Sequence, residues 1–267
     1  RLKLTEPSKD TVQTSYALRL DRGSGNDVKN IETFSQYALR NLQDMDIVYP
    51  GTKWLTPERA AWIAQDFSDF EKTLNTYDYD TEPYAWWEQE DMSSVVDYGI
   101  LMGFTCNYDA GWLSTYIYRD VRGKYKMCIW DFNSACDNYS HPVTEPQHFE
   151  LQYNVWYYML SKDEDFINAV IERYRALRQG VLNDAYLNGY MDAVVEWLGP
   201  AVDRNFSVWG YALDKDMISP AGRNPHTPTE AVAQMKRFCA ERGAWMDEHI
   251  DILRQYSHES RNKKFNH

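Results

Sequence analysis

Residues 98–138 decide the fold and read YGILMGFTCNYDAGWLSTYIYRDVRGKYKMCIWDFNSACDN. Two β-rich runs lie within this stretch, at 114–119 and 125–130, and the short link between them includes Gly123, which can adopt a positive φ. The pattern predicts a β-hairpin in the middle of the chain. An apolar segment at 92–105 precedes the hairpin and is predicted to be a helix, with Asp91 as its N-cap.

Outward from the hairpin, helical patterns predominate. Residues 15–20 (SYALRL) are the one further strand candidate, and residues 31–42 show helical spacing. Thr56, followed by Pro57 and Glu58, predicts the start of a long helix. Five later segments carry helix start or stop signals: 151–160, 164–179, 184–198, 201–209 and 230–255. The sequence therefore predicts an α+β fold that is mostly helical around one central hairpin.

Composition excludes several classes of function. The 267 residues include 28 Lys and Arg against 40 Asp and Glu, a net charge of −12. Such a chain repels nucleic-acid backbones and anionic lipids, so neither is an expected partner. No apolar run reaches the roughly 18 residues of a membrane span. Aromatic residues make up 15% of the chain, which indicates a folded protein with rings in clefts or on its surface.

The four cysteines form no C-x-x-C pair. Cys106, Cys128 and Cys136 lie close together in the sequence, so one disulfide among them is an open alternative to buried thiols. The compartment is not determined by this pattern.

The densest polar chemistry flanks the hairpin. Asn107 and Asp109 precede it, and Asp131 and Asn133 follow it. Because a hairpin returns the chain to where it left, Asp109 and Asp131, 22 positions apart, should lie side by side. Carboxylate and carboxamide oxygens are ligands that Mg²⁺ prefers. On spacing alone, such residues are more often turn formers and helix caps.

The order of these elements has a precedent in protein kinases. There an Asp accepts the substrate hydroxyl proton, an Asn helps to hold metal, and an Asp of a later Asp-Phe-Gly segment binds Mg²⁺. Here the order is helix, Asn-x-Asp, hairpin and Asp-Phe, although no His-Arg-Asp precedes it.

Residues 98–138 resemble the most distinctive stretch of the spore coat protein H (CotH) kinase family. In that family an N-x-D follows a helix, and an S-x-Y-x-Y/F-[KR]-[DN] strand, a G-K pair and a W-D-F-D segment come next. The matching residues are Asn107, Asp109, Ser114, Tyr116, Tyr118, Arg119, Asp120, Gly123, Lys124, Trp130, Asp131 and Phe132. Residues 15–22 resemble the family's Y-L-L-K-x-D-R strand, and three segments at 165–178, 203–209 and 235–247 resemble its helical tail.

The resemblance implies an atypical kinase of the protein-kinase-like fold, in which the hairpin belongs to a C-lobe. It implies that Asp109 orients or deprotonates a Ser/Thr hydroxyl, and that Asp131 holds Mg²⁺ with Asn107 and Asn133. Asn107 would also bind ATP, and Arg204 would reach its phosphates if the late helix packs near the hairpin. Some members phosphorylate serines of spore coat proteins. The implied partner is a Ser-rich protein, and the net charge of −12 suits a basic one. The implied location is a spore coat or a bacterial cell surface rather than the cytoplasm.

Two departures from the family pattern bear on these expectations. Asn133 stands where the W-D-x-D motif has its second Asp, which predicts a weaker or altered ion preference. The family's R-G-N-x-S segment and N-G-x-Y-x-G-x-Y strand do not occur in the 267 residues. We therefore expect residues 1–256 to be the C-terminal part of the family's domain, with the N-terminal lobe largely absent and 257–267 as a tail.

Two other functions stay open at this point. A non-catalytic surface or spore-coat interaction module could keep the fold, and both departures favour it. Carbohydrate binding or hydrolysis would use Trp86 and Trp87 as stacking rings, with Asp109 and Asp131 as acid and base. For the tryptophan pair, packing over the following helix is the more common role. The oligomeric state is not predicted.

Overall fold

The computed structural model describes residues 3–26, 28–38, 43–139, 149 and 154–259. These residues form an α+β fold with one antiparallel five-stranded sheet, in the order β2-β3-β1-β4-β5. The strands are β1 Tyr16–Asp21, β2 Asn30–Ile31, β3 Asp44–Tyr49, β4 Thr115–Arg119 and β5 Lys126–Cys128. The α-helices are α1 Phe34–Ala38, α2 Pro57–Leu74, α3 Met92–Thr105, α4 Val155–Leu160, α5 Glu164–Arg178, α6 Asp184–Leu198, α7 Ala201–Trp209 and α8 Pro228–His249. Four 3₁₀ turns lie at Trp86–Glu88, Gly210–Ala212, Ala221–Arg223 and Ile250–Tyr256.

The predicted hairpin is present as β4 and β5, but it forms one edge of the sheet rather than standing alone. β4 also pairs with β1, where Leu18 faces Ile117. The other neighbour of β1 is β3, which has no counterpart among the predicted strands. Its sequence, DMDIVY, contains two aspartates, which are disfavoured in strands, while Met45 and Ile47 supply its buried face. The strand predicted at 15–20 is confirmed as β1 and the α+β class is confirmed, whereas β2, β3 and the sheet that they form with the hairpin were not predicted.

Residues 31–42 do not form one helix. Ile31 ends the short strand β2, and α1 covers only Phe34–Ala38. Residues 39–42 lie outside the described part of the chain. In the same way, α4 begins at Val155, and residues 151–153 of the predicted helix lie outside the described residues.

The predicted starts of α2 and α3 are confirmed by the hydrogen bonds of their N-cap side chains. The Thr56 side chain accepts from the Arg59 N–H at the start of α2, and the Asp91 side chain accepts from the Ser94 N–H at the start of α3. Each such cap satisfies a backbone donor that would otherwise lack a partner in the first turn. Gly199 ends α6 with a positive φ, and α7 begins at Ala201, as the Gly-Pro pair predicts.

One hydrophobic core joins the sheet to α2, α3 and α5. Phe67 of α2 packs edge-on against Tyr125, just before β5, with 5.6 Å between ring centroids. Arg119 at the end of β4 donates to the Asp66 carboxylate of α2 at 2.9 Å, and the Tyr16 hydroxyl donates to the same carboxylate at 2.6 Å. These contacts fix the turn end of the hairpin relative to α2.

Trp86 and Trp87 pack inside the protein, which is the more common role for such a pair. Trp86 is fully buried, and its indole N–H donates to the Asp163 carboxylate at 2.7 Å. Trp87 is partly buried against the same core. The carbohydrate hypothesis therefore loses its stacking platform at Trp86.

The helices after residue 154 form the second half of the molecule. α3 packs against α5 and α8, and α6 packs against α8. Neither α6 nor α7 has a buried residue. Among the described residues, no helix combines the length and apolar character needed to cross a bilayer.

Candidate active site

Two loops meet at the base of the hairpin, one after α3 and one after β5. α3 ends at Thr105, and the φ of 45° at its C-cap residue Cys106 turns the chain sharply into the first loop. The backbone N–H of Cys136 donates to the Thr105 carbonyl at 2.7 Å, and that of Tyr108 donates to the Ser134 carbonyl at 3.5 Å. The two polar clusters therefore lie next to each other, as the hairpin geometry predicts.

Asn107 lies at the centre of this contact. Its side-chain N–H₂ donates to the main-chain carbonyl of Asp131 at 3.2 Å and also points at the Met102 sulfur at 3.7 Å. The residue is 2% exposed, and its amide oxygen Oδ1 is buried with no hydrogen-bond partner. A buried unsatisfied acceptor costs about 1–3 kcal/mol. The side-chain N–H₂ of Asn107 thus holds the Asp131 backbone, while its amide oxygen is buried without a hydrogen-bond partner.

Asp109 is held by a residue that the sequence analysis does not single out. The Ser134 hydroxyl donates to Asp109 Oδ2 at 2.7 Å, and lies 3.2 Å from Asn133 Oδ1. Among the described residues, no hydrogen bond uses the other carboxylate oxygen, Oδ1. The sequence signal for Ser134 is its position directly after the Asp-Phe-Asn segment. Its bond crosses between the two loops and orients Asp109.

Asp131 is exposed at the start of the second loop and adopts a φ of 51°. Its Oδ1 accepts from the backbone N–H of Asn133 at 3.3 Å, which closes a tight local turn. Aspartate tolerates this left-handed conformation better than most side chains. The Asn133 side chain is exposed, and the main-chain carbonyl of Asn133 accepts from the Asn138 side-chain amide at 2.6 Å. The turn therefore presents the Asp131 carboxylate and the Asn133 carboxamide on the same short segment.

The types of oxygen donor at the two loops fit a magnesium ion that arrives with phosphate. Asp131 offers an exposed carboxylate and Asn107 an unpartnered amide oxygen, and Asn133 adds a carboxamide. In the described part of the chain, no group of three or more His, Cys, Asp or Glu side chains could hold a metal ion. Mg²⁺ usually keeps several waters and binds one or two carboxylates together with substrate phosphates. A site with so few protein oxygen ligands suits an ion that binds together with the nucleotide better than an ion that is bound permanently.

A salt bridge anchors the far end of the second loop. Arg223 donates through Nε to Asp137 Oδ2 at 3.0 Å and through Nη2 to Asp137 Oδ1 at 2.6 Å. The same Nη2 donates to the Tyr139 carbonyl at 3.1 Å. Arg223 lies about 85 positions away in a loop that carries no motif, so the sequence gives no signal for it. It fixes the segment that follows Asp131 and Asn133.

The structure does not bring Arg204 to this site. It is exposed on α7, which packs against α6 and the 3₁₀ turn at 210–212. Among the described residues, none of the hydrogen bonds or ion pairs seen joins its side chain to either loop.

A family model matches most of the chain. The chain matches the family model described as CotH kinase protein over residues 21–246. The match spans most of the chain, and the protein therefore belongs to the CotH kinase family, which indicates a kinase-like function. The matched residues include both loops and the Arg223 anchor. None of the curated proteins compared with the chain matches it.

Proposed function

We propose that the protein transfers the γ-phosphoryl group of ATP to Ser or Thr hydroxyls of a protein substrate. The observation that carries this proposal is the unpartnered amide oxygen of Asn107, buried against the Asp131 loop and beside the Ser134-oriented Asp109. Membership of the CotH kinase family supports the reaction class. The structural likeness to a kinase C-lobe, and residues 1–256 as the C-terminal part of such a domain, belong to the same proposal.

Asp131 would hold Mg²⁺, with the Asn107 oxygen and the Asn133 carboxamide as further ligands. When bound, the ion offsets charge on the phosphoryl group being transferred. Asn133 carries no charge, so the site has one fewer negative charge than the family motif provides. We therefore expect weaker metal binding than a W-D-x-D site would give.

Asp109 would receive the proton of the attacking hydroxyl. Ser134 occupies Oδ2, which leaves Oδ1 for the substrate. In the balanced reaction the substrate oxygen forms a bond to the γ-phosphorus, the bond to the bridging oxygen of ADP breaks, and the hydroxyl proton passes to Asp109. Such positioned proton transfer contributes roughly 10²–10⁴-fold to a rate.

The proposed substrate is a basic, Ser-rich protein. The net charge of −12 disfavours acidic partners and favours basic ones. A spore-coat or cell-surface location belongs to the same proposal and follows from the family resemblance alone.

The test is phosphate transfer from radiolabelled ATP with Mg²⁺ to a basic Ser-rich protein, comparing the unaltered protein with Asp131→Ala and Asp109→Asn. Asp97→Asn is the matched control, because Asp97 lies on α3 but is half-exposed and paired with Arg173 at 2.7 Å. We expect both site variants to lose most of the transfer and the control to keep it. Transfer that survives Asp131→Ala unchanged would refute the assignment.

A non-catalytic interaction module is the second candidate, and Asn133 is the observation that favours it. Calorimetric titration with ATP and Mg²⁺ separates the two functions. Binding that weakens in Asp131→Ala supports the kinase, whereas a protein that binds no nucleotide supports the module.

A further inference from the structure

α6 carries a row of exposed aromatic rings. Tyr186, Tyr190 and Trp197 are 52%, 62% and 83% exposed. Their positions along the chain place them on one face of the helix, because an α-helix has 3.6 residues per turn. The rings of Tyr186 and Tyr190 lie nearly parallel, with 6.5 Å between their centroids. The row is therefore a defined surface, and we call these three residues the α6 surface.

The same helix has a separate apolar face that packs in the protein. Leu187 and Met191 lie against the hydrophobic core. One apolar stripe is enough to hold a helix on a core, so the α6 surface is apolar area beyond what the packing of α6 uses. Among the described residues, nothing lies within 4 Å of the position that a Cβ on Gly189 would take, so this side of the helix is open. A contiguous exposed apolar surface of this kind is typical of an interaction site.

A second pair of exposed rings follows along the chain. Trp209 ends α7 and Tyr211 lies in the 3₁₀ turn at 210–212, with 6.2 Å between the ring centroids. Both rings are more than half exposed, and α7 packs against α6. Exposed aromatic residues are therefore a shared property of these two neighbouring helices.

Negative charge is concentrated in the same part of the chain. Residues 184–217 contain six Asp and Glu against two Lys and Arg, which is a third of the net charge of −12 in about an eighth of the residues. Asp184 and Asp192 already form ion pairs with basic side chains. Glu196 and Asp203 are exposed, and among the described residues no ion pair engages either carboxylate. These two acids are therefore available to a basic partner.

This charge distinguishes between the partners that could cover the α6 surface. In a symmetric dimer the same face of both copies meets, so Glu196 and Asp203 would be brought near the like charges of the second copy. A neutral glycan could stack on the rings but would leave both carboxylates unmatched. Lys and Arg side chains match both features, because their apolar stems cover aromatic rings and their charges are attracted to ring faces and to carboxylates.

We propose that the α6 surface docks a basic segment of the protein substrate, whose Lys and Arg side chains lie over the three rings and pair with Glu196. This inference rests on the proposed function, since it names where the basic substrate binds. The segment between α7 and α8 carries Arg223, which holds Asp137 in the loop after β5. Docking on α6 would keep the rest of the substrate near the protein and raise the effective concentration of its serines at the candidate site.

The first test measures binding without ATP, by fluorescence anisotropy of a labelled peptide made of Lys, Arg, Leu and Ala. The peptide has no Ser or Thr, so no phosphate transfer to it can occur. A peptide with Glu in place of every Lys and Arg is the matched control. We expect the basic peptide to bind, its affinity to fall as salt is raised, and the acidic peptide not to bind.

Substitutions then locate the binding site. Trp197→Ala should weaken binding of the basic peptide about tenfold or more, because exposed Trp residues are frequent hot spots of interfaces. Tyr190→Ala is a second variant of the same surface, and Glu196→Gln should reduce the salt dependence. Tyr158→Ala and Glu172→Gln are the controls and should bind as the unaltered protein does, since the Tyr158 ring is already covered by Lys162 and Glu172 is exposed on α5.

Three outcomes would overturn the proposal. They are equal binding of the two peptides, unchanged affinity in both ring variants, and a dimer in sedimentation that Trp197→Ala dissociates. Phosphate transfer to a basic Ser-rich protein separates this inference from the proposed function. Peptide binding without any transfer by the unaltered protein would refute the kinase and leave the docking surface, whereas transfer with the same KM in Trp197→Ala would refute the docking surface alone.

Discussion

Glu90 should make the stability of this protein depend strongly on pH. The residue is 2% exposed, and its Oε2 has no hydrogen-bond partner. Burial raises the pKa of Glu90 from 4.5 to about 8, and the neighbouring charge of Asp91 adds to the effect. The protonated carboxyl is therefore the form that the folded protein accepts.

The sign follows from the raised pKa. Glu90 is harder to ionise in the folded state than in the unfolded state. Its contribution to the stability of the folded state is therefore fully present below the unfolded pKa near 4.5, and is lost as the pH rises through the folded pKa of about 8. The pKa difference of about 3.5, at about 1.4 kcal/mol for each pH unit, gives a loss of about 5 kcal/mol in the free energy of unfolding. Burial also raises the pKa of Glu71 and Asp163. Several residues therefore contribute to the dependence of the free energy of unfolding on pH in the unaltered protein.

Glu90→Gln isolates the contribution of Glu90. Urea unfolding at pH 5, 6, 7 and 8 should show that the variant loses less stability across this range than the unaltered protein. The slope is the decisive quantity, because a buried Gln changes the absolute stability by an amount that does not depend on pH. Glu88→Gln is the matched control, since Glu88 lies two positions earlier and is exposed. Parallel pH profiles for Glu90→Gln and the unaltered protein would refute the reasoning.

Two further substitutions test contacts far apart in the sequence. Trp86→Phe removes the donor to the buried Asp163 carboxylate, so urea unfolding at pH 7 should show a loss of about 1–3 kcal/mol, and an unchanged midpoint would contradict the role of that bond. Arg223→Gln removes the charge pairing with Asp137 and should lower phosphate transfer about tenfold or more, because small displacements of a catalytic loop have large effects on rate. Thermal unfolding run in parallel separates the two effects, since a fall in rate that only matches a fall in folded protein would argue against positioning.

The part of the fold that the sequence predicts rests on local chemistry. The Asp91 cap of α3, the Thr56 cap of α2 and the hairpin each depend on residues within a few positions of one another. β3 could not be found in this way, because its aspartates disfavour a strand and only pairing with β1 stabilises it. There Asp46 accepts from Arg19 at 2.8 Å across the strands, which allows a buried carboxylate in the sheet.

In the candidate site, too, the features that depend on residues near in sequence could be predicted, and those that depend on distant elements could not. A hairpin closes a short loop, so the adjacency of the segments around Asn107 and Asp131 follows from the sequence. Ser134 directly follows the predicted site residue Asn133, but only the three-dimensional structure shows that its hydroxyl donates to Asp109. The Arg223 anchor is brought to the site by the packing of distant elements, for which periodicity and motifs provide no information.

Backbone conformation gives an independent reason to place function at these two loops. In the described residues, six non-glycine positions have a positive φ: Cys106, Ser114, Arg122, Asp131, Cys136 and Asp137. All but the hairpin-turn residue Arg122 lie in the loop after α3 or the loop after β5. Each such conformation is unfavourable for a side chain with a Cβ, by an amount on the order of 1 kcal/mol, and persists only where surrounding contacts enforce it. The enforcing contacts are the Asn107 bond to the Asp131 carbonyl, the Cys136 bond to Thr105 and the Arg223 pair with Asp137. Glycine would adopt these conformations without strain, so the strain at non-glycine residues supports placing the proposed function at the two loops.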